Sequence, residues 1–462
     1  MLDTIMGGLS AVFWGLVVLS LLVFVHEGGH YLAARACGVR VTEFFLGMPS
    51  RLKLSFRSKR NGTEVGVTPL LLGGYTRISG MEGDVDEDLL KRAIGVLASR
   101  GRVSASELAA ELSCSGEDAL DALVMLGDWG SAVPYYDEAK GESPAQKTYP
   151  ETWELSARDE AGLTIYDKGH QLPLTSPAAS AGARPDLAAK DNFFESEKEK
   201  TYLGKGFLPR VIMLFAGPLV NLITGIVLLV LAFSVAGALT YSGDGRVGEV
   251  DAGSLAEQAG LVAGDTIVRV ADVDIEAWDD LTEALQKAFS SESFELVYLH
   301  DGQTKSTTLT IDPSNPPQKL GITNYAEHRR LGVGESLSLA FNYIGTTIGF
   351  AIQLINPTQT LHIMDNSSSL VGVSVMASEA AQMGFSTLAR FAALISFSLG
   401  IMNLLPIPPL DGGKILIEII QVIIRRPIST RIQNVVSYVG LAFFLFLFVY
   451  VSRLDIIRFV LN

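Results

Sequence analysis

Residues 4–25 form a continuous apolar run without a charged side chain, rich in Leu, Val, Ile and Phe. At a rise of 1.5 Å per residue, a helix of this length crosses a hydrocarbon core of about 30 Å. A cleaved signal peptide is disfavoured, because no basic residue precedes the run and because His26 and Glu27 follow it directly. The run therefore predicts a membrane-spanning helix.

Three further apolar runs predict additional spans. Residues 211–239 and 435–451 contain no charge, and residues 391–405 form a shorter run rich in small side chains. Residues 336–355 are also uncharged but contain Ser, Asn, Thr and Gly throughout, so we expect them to lie at the membrane surface. With 48% hydrophobic and only 19% charged residues, the chain is predicted to be a multi-pass α-helical membrane protein of about four spans.

Basic residues predict the orientation, because Lys and Arg are enriched in short cytosolic loops. Those nearest the spans lie in two loops, after the first span (Arg35, Arg40, Arg51, Lys53, Arg57, Lys59 and Arg60) and before the fourth (Lys414, Arg425, Arg426 and Arg431). Four spans place both loops on the cytosolic side and residues 241–312 outside. The net charge of −14 leaves no broad basic surface, so no nucleic-acid partner is expected.

Residues 242–312 read as a small soluble domain of short strands and one or two helices. Ser254 is expected to cap a short helix that ends at Gly260, followed by a turn and a strand within 264–270 and an amphipathic helix at 278–289. This order, with the phrase AEQAGLVAGDTIVRV, resembles a circularly permuted bacterial PDZ domain. The resemblance implies binding of extended chain ends at a sheet edge. The alternative is a spacer domain that only packs on the membrane part.

Residues 81–200 form an acidic insert whose 24 acidic and 12 basic residues account for −12 of the net charge of −14. Its first half is predicted to contain three helices and then a strand, at 89–99, 106–112, 116–127 and 132–136. This order resembles a winged-helix fold. DNA binding would require a basic face, so the acidity favours a protein-binding or purely structural role. Residues 178–190 have the composition of a flexible linker.

The sequence His26-Glu27-Gly28-Gly29-His30 follows the first apolar run directly. Residues four apart share one face of a helix, so both imidazoles can bind one metal ion, with Glu27 adjacent as a proton acceptor. Zinc favours imidazole nitrogen. Histidine and glutamate are costly in a membrane and are usually functional there. The structural alternative is that the histidines cap the helix or reach to the interface.

A catalytic zinc site needs a third protein ligand, and Asp411 is the candidate at membrane depth. It lies in the sequence NLLPIPPLDGG, residues 403–413, at the end of the third predicted span. The prolines prevent a regular helix, and unwound backbone at this depth is tolerated only where it is buried or lines a cavity. A role as a simple turn residue is the alternative. The two cysteines, Cys37 and Cys114, are too far apart in sequence for a CxxC zinc site.

Together these motifs resemble the site-2 protease family of intramembrane zinc metalloproteases. HEGGH in the first span and NLLPIPPLDGG in a late span carry the resemblance. FAGPLVN at residues 215–221 and GGY at residues 73–75 are similar to two further motifs of the family, the latter in a membrane-associated β-hairpin loop. With a single PDZ-like segment, the layout resembles bacterial regulator-of-sigma-factor proteases. The resemblance excludes the acidic insert.

The resemblance implies one Zn²⁺ per chain, held by His26, His30 and Asp411. It implies Glu27 as general base and acid, and Asn403 as a group that polarises the scissile carbonyl or holds the substrate backbone. A helix-terminating Asn is the alternative for Asn403. The residues that would bind the substrate are Gly73, Gly74, Tyr75 and Asn221. The ligand types alone also suit other divalent ions.

The sequence thus predicts an intramembrane zinc metalloprotease of a bacterial inner or plasma membrane, with its active site toward the cytosol. Its expected partners are lipid, single-span membrane proteins such as an anti-sigma factor or a signal-peptide remnant, and a protein partner of the acidic insert. The alternative is a catalytically silent, membrane-anchored PDZ scaffold with a structural metal site.

The predicted segments are a first span (1–35), a β-hairpin loop (36–80), the insert and linker (81–200), a second span (208–240), a PDZ domain (241–313), an extracytoplasmic or interfacial connector (314–384), a third span with a cytosolic loop (385–424) and a fourth span with the C-terminus (432–462).

Overall fold

The structure is a computed structural model that describes residues 2–71, 73–81, 85–144, 146, 148–167, 183–190, 192–311, 319–355, 368–426 and 428–458. The chain divides into two compact units. We call Met1–Leu229 with Ser338–Asn462 the membrane unit, and Val230–Leu337 the β-rich unit.

The described helices include long apolar ones and shorter ones. In chain order they are α1 (Leu2–Ala36), α2 (Glu87–Arg100), α3 (Ala105–Leu112), α4 (Gly116–Asp128), α5 (Pro185–Ala188), α6 (Phe193–Lys198), α7 (Phe207–Val235), α8 (Leu255–Gln258), α9 (Trp278–Ala288), α10 (Val333–Ile355), α11 (Leu370–Gln382), α12 (Phe385–Asn403), α13 (Asp411–Ile424) and α14 (Thr430–Ile456). A single 3₁₀ turn at Glu138–Lys140 is described as well.

The strands fall into three groups along the chain. The first group is β1 (Val41–Leu46), β2 (Leu54–Arg57), β3 (Glu64–Val67) and β4 (Gly74–Ile78), and the second is β5 (Arg102–Ser104), β6 (Ala132–Tyr135) and β7 (Thr152–Leu155). The third is β8 (Ala238–Tyr241), β9 (Val247–Val250), β10 (Thr266–Val270), β11 (Val273–Asp274), β12 (Ser293–His300), β13 (Gln303–Thr310), β14 (Ile322–Asn324) and β15 (Ala326–Arg329).

Five of the described helices, α1, α7, α10, α12 and α14, are long and apolar enough to cross a membrane. The prediction of a multi-pass α-helical membrane protein is confirmed, and the described residues contain one candidate span more than the four that were predicted. The additional helix is α10, in the stretch expected at the membrane surface. Its hydroxyl groups do not break it, because Thr346 and Thr347 donate to the carbonyl oxygens of Asn342 and Tyr343, one turn earlier in the same helix.

Residues 41–78 form a four-stranded mixed sheet, where the sequence had predicted a β-hairpin loop. The strand order is β2-β3-β1-β4, with β1 parallel to β3 and antiparallel to β4. A parallel pair joins strands that are not consecutive, which local patterns do not reveal. At the β4 edge, the Thr76 hydroxyl donates to the carbonyl oxygen of Glu27 over 3.0 Å. The sheet therefore holds an edge strand against α1.

The insert has its own core, built from α2, α3, α4 and the sheet β5-β7-β6 around the fully buried Trp129 and Trp153. The Ser104 hydroxyl and the Glu107 carboxylate form a capping box that starts α3. The helices lie where the sequence predicts them, and the winged-helix assignment stays a prediction. The predicted linker at 178–190 lies outside the described residues as far as residue 182, and the short helix α5 occupies part of the rest.

A buried charge cluster joins the insert to the chain that follows α1. The Arg40 side chain, 1% exposed, donates to Asp167 over 2.6 and 2.7 Å and to Glu197 over 2.8 Å. Arg158 donates to the same Glu197 over 2.8 Å, and Lys200 lies 3.1 Å from it. We call these five residues the junction cluster. They fix the insert to the membrane unit.

The β-rich unit contains a four-stranded sheet of order β11-β10-β12-β13 and two short antiparallel pairs, β9 with β14 and β8 with β15. The amphipathic helix α9 packs Leu281 and Leu285 into a core with Ile267, Leu296 and Phe294. Gly321 precedes β14 with φ of +88°, a backbone conformation that favours glycine. The assignment of this unit as a PDZ domain stays a prediction.

The chain between α12 and α13 is not helical, as its prolines predict, but residues 411–424 form a helix and not the expected loop. Gly412 and Gly413 lie where a Cβ would clash with the backbone of Leu404 and Pro408. The absence of side chains there lets α13 start tightly packed on the preceding turn. Asp411 is consequently the first residue of a helix.

Candidate metal centre

The last third of α1 carries His26 and His30 on one face, as their spacing of four predicts. Both residues are buried, at 8% and 7% exposure, and their rings meet edge to face with centroids 4.8 Å apart. Their Nε2 atoms lie 3.2 Å from each other. The two imidazoles therefore point at one place.

Asp411 completes this cluster from the start of α13. Its Oδ2 lies 3.2 Å from Nε2 of His26 and 3.3 Å from Nε2 of His30. In a tetrahedral zinc site with ligand bonds of about 2.0–2.1 Å, the ligand atoms lie about 3.3 Å apart. The triangle of two nitrogens and one oxygen thus fits a zinc ion. Three protein ligands leave the fourth position open, as a catalytic site requires.

Close helix contact between α1 and α7 places His30. Its Nδ1 lies 2.8 Å from the carbonyl oxygen of Met213 on α7, so the other nitrogen faces Asp411. A Cβ on Gly217 would overlap the His30 ring, and a Cβ on Gly29 would lie 2.5 Å from the carbonyl oxygen of Ala216. Glycine in both motifs is therefore what lets the two helices approach.

Asn221 lies on α7 behind the ring of His26. Its side chain is fully buried, and its amide nitrogen is placed 3.2 Å from Nδ1 of His26. The Ser396 hydroxyl on α12 donates to the carbonyl oxygen of Asn221 over 2.7 Å. The sequence analysis did not identify Met213 or Ser396, and no sequence signal could, because both act through contacts between helices.

Glu27 lies between the two histidines in sequence and next to β4 in space. A Cβ on Gly74 would lie 3.5 Å from Cγ of Glu27. Gly73 precedes β4, and its carbonyl oxygen accepts from the Gly47 backbone over 2.7 Å. The Tyr75 hydroxyl donates to Glu43 over 2.9 Å, and its ring stacks on Phe45. The predicted substrate-binding residues 73–75 therefore lie along the edge strand next to Glu27.

Asn403 ends α12, and the structure does not bring it into the cluster of ligand atoms. Its amide nitrogen donates to the carbonyl oxygen of Leu399 in its own helix over 3.0 Å. The amide of Asn403 is therefore engaged within α12, and both roles considered for this residue stay predictions.

α13 also carries an ionic contact that the sequence analysis missed. Glu418, two turns after Asp411, accepts from the Tyr202 hydroxyl over 3.1 Å and lies 3.4 Å from the Arg210 guanidinium. An acidic residue in an otherwise apolar helical stretch was the available signal. Through this contact, the start of α7 helps to fix the helix that begins with Asp411.

Comparison with known proteins finds a matching family model and relatives that cover nearly the whole chain. The family model described as Peptidase family M50 matches residues 14–447. The chain is 27% identical over 450 residues to the probable protease eep of Enterococcus faecalis, covering 96% of this chain and 98% of that protein. It is 28% identical over 451 residues to the zinc metalloprotease RasP of Shouchella clausii. It is 25% identical over 454 residues to the regulator of sigma-W protease RasP of Bacillus subtilis. Each of these two alignments covers 96% of this chain and 97% of the relative.

Proposed function

The chain belongs to peptidase family M50 and is a membrane zinc metalloprotease, and we propose that it cleaves the transmembrane segments of single-span membrane proteins. The observation that carries this proposal is the convergence of His26, His30 and Asp411 within 4.8 Å. This cluster lies in the last third of a span-length helix, next to an edge strand. Such a site serves a substrate that reaches it from within the bilayer.

We assign the three converging residues as the zinc ligands and Glu27 as the general base and acid. Bound zinc supplies Lewis acidity toward the scissile carbonyl and toward the attacking water. Glu27 accepts the proton of that water and later donates it to the leaving amine. We also propose that Asn403 polarises the scissile carbonyl or holds the substrate backbone, which requires its amide to release the carbonyl oxygen of Leu399.

We propose that the substrate is bound as an added strand on β4. A peptide bond within a helix is shielded, so the substrate must unwind before cleavage, and an edge strand offers main-chain partners to the unwound segment. β4 is the edge of its sheet among the described strands, and Gly74 lies against Glu27. A substrate strand paired there would pass close to the proposed base.

The proposed orientation has the metal cluster near the cytosolic face and the β-rich unit outside. Basic residues follow His26 and His30 in the loop after α1, and they follow Asp411 in residues 414–431. This clustering of Lys and Arg supports the cytosolic assignment. We propose that the β-rich unit is a PDZ domain that filters or recognises substrates. The substrates proposed are anti-sigma factors already trimmed outside, or signal-peptide remnants. The relative in Bacillus subtilis is named a regulator of sigma-W protease.

Cleavage of a single-span reporter in lipid vesicles tests the proposal. Glu27→Gln is expected to lower the rate about 100-fold or more, since a positioned general base contributes at least that much, while leaving one zinc per chain. Glu117→Gln, an exposed acid of the insert, is the matched control and should cleave like the wild type. Wild-type protein that holds zinc but cuts none of several reporters would overturn the proposal.

A further inference from the structure

Asn221 has an unsatisfied buried group next to the proposed zinc site. Its side chain is 0% exposed, and its Oδ1 has no hydrogen-bond partner among the described residues. Its amide nitrogen instead faces Nδ1 of His26. A buried amide oxygen without a donor is costly, so this arrangement calls for an explanation.

The two nitrogens of the His26 ring have different tasks. Nε2 points at Asp411 and His30 and is the atom available to a metal ion. A metal-bound imidazole carries its proton on the other nitrogen and donates it to an acceptor. Nδ1 of His26 therefore needs an acceptor, and an amide nitrogen cannot accept.

Rotation of the Asn221 amide by 180° meets this need. The oxygen and nitrogen of an amide are nearly indistinguishable in shape, and their assignment follows from the hydrogen bonds around them. After rotation, Oδ1 accepts from the Nδ1 proton of His26. His30 is already arranged in this way, because its Nδ1 faces the carbonyl oxygen of Met213 on the same helix.

We infer that Asn221 is a positioning residue whose amide oxygen fixes the tautomer and the ring orientation of His26 for zinc binding. This inference rests on the proposed function, and it gives Asn221 a role other than the substrate contact expected from the family resemblance. Ser396 holds the backbone of Asn221 from α12, the helix that leads to Asp411. The backbone of the proposed acceptor residue, Asn221, is thereby held by α12, the helix that precedes Asp411.

Zinc affinity of the purified full chain, measured by competition with a chelator, tests the inference. Asn221→Leu removes the acceptor and is expected to weaken zinc binding about 10- to 100-fold, the usual effect of losing an outer partner of a ligand. Asn221→Asp keeps an acceptor oxygen and should remain within a few-fold of the wild type. Thr224→Val, on a half-buried residue one turn along α7, should leave the affinity unchanged.

The outcomes separate this inference from the proposed function. Equal zinc affinity of Asn221→Leu and the wild type would overturn the inference, and an accompanying rise in KM alone would restore the substrate-contact role. Equal weakening by the Leu and Asp variants would also overturn it, because a packing role does not distinguish an acceptor. Full zinc retention by His26→Ala would instead contradict the ligand set of the proposed function. Thermal midpoints of the metal-free variants exclude misfolding as the cause of lost affinity.

Discussion

The two adjacent glycines between His26 and His30 have very different surroundings. A Cβ on Gly28 would have only the ring edge of Phe44 near it, at 3.9 Å. A Cβ on Gly29 would press on the backbone of Ala216 and Gly217, where α7 crosses α1. One glycine of the motif is therefore required by helix packing, and the other is not.

Gly29→Ala is expected to destabilise the protein by about 1–3 kcal/mol, the usual cost of overpacking, and to lower zinc retention by pushing α7 away from His30. Gly28→Ala should retain zinc like the wild type and should not destabilise the protein, because alanine favours a helix over glycine by about 1 kcal/mol. Thermal midpoints and zinc content in detergent measure both effects. Equal behaviour of the two variants would contradict the packing argument.

The sequence was sufficient to predict that the three candidate side chains converge, because a spacing of four in a helix and a carboxylate after prolines each restrict where side chains can point. His26, His30 and Asp411 converge as the motifs predict. The partners behind the ligands could not be predicted in the same way. Met213 and Asn221 act through the crossing of two helices, and no local pattern in a single sequence specifies which carbonyl or amide will face a given ring.

At the scale of elements, α10 and α11 lie in the part of the chain that connects α7 with α12. α7 begins beside His30 and runs away from it, and α12 runs toward Asp411 and ends there. With both helices crossing a membrane, we expect the chain between them to start and finish on the side opposite the candidate metal site. An even number of crossings is required, so α10 can cross only if a later segment returns.

α11 has the contacts of such a returning segment. Ser378 near its end hydrogen-bonds Ser10 near the start of α1 over 2.7 Å, and Ser374 packs on Gly15. α11 thus runs antiparallel to α1 at membrane depth. Its first turn is held by Asp455 of α14, whose carboxylate accepts from the backbone of Ser369 and Gly372. We expect a crossing by α10 to be followed by a return of the chain alongside α11, and the outer location of the β-rich unit stays a prediction.

We expect the middle of α10 to be embedded in lipid. A cysteine in place of Gly345, in a chain whose Cys37 and Cys114 are replaced by serine, should resist a membrane-impermeant maleimide in intact vesicles and react after detergent is added. A cysteine at Lys305, in the exposed strand β13, is the control and should react from the outer side. Rapid labelling at residue 345 in intact vesicles would favour the surface location that the sequence analysis expected.

These elements show which parts of the fold a single sequence can specify. Long uncharged runs identify α1, α7 and α14 directly, because only a helix satisfies its own backbone in lipid. α10 was not predicted as a candidate span, since its hydroxyl groups lower its hydropathy although those of Thr346 and Thr347 bond within the helix. The mixed sheet of residues 41–78 was also missed, because the parallel pairing of β1 and β3 depends on a connection and not on a local pattern.

At the scale of the whole molecule, the junction cluster anchors the insert to the segment that follows α1 in the membrane unit. Although burial disfavours a charged carboxylate, Arg40 and Arg158 hold the pKa of Glu197 well below its usual range, and Arg40 likewise lowers the pKa of Asp167. Both acids are therefore ionised and paired. Arg40 follows α1 by four residues, so the attachment of the insert lies close to the helix that carries His26 and His30.

Arg40→Met is expected to destabilise the protein by about 3 kcal/mol or more, because two buried carboxylates lose the guanidinium that they share. The pairing contributes stability above about pH 4, where the acids ionise even when unfolded, and this contribution is lost as the pH falls through their lowered folded pKa values. The gap in thermal midpoint between wild type and variant should thus be widest near pH 7 and narrow below pH 4. Arg92→Met removes an exposed pair with Asp88 and should cost less than about 1 kcal/mol. A gap that does not change with pH would mean that packing of the long side chain, and not its charge, holds the insert in place.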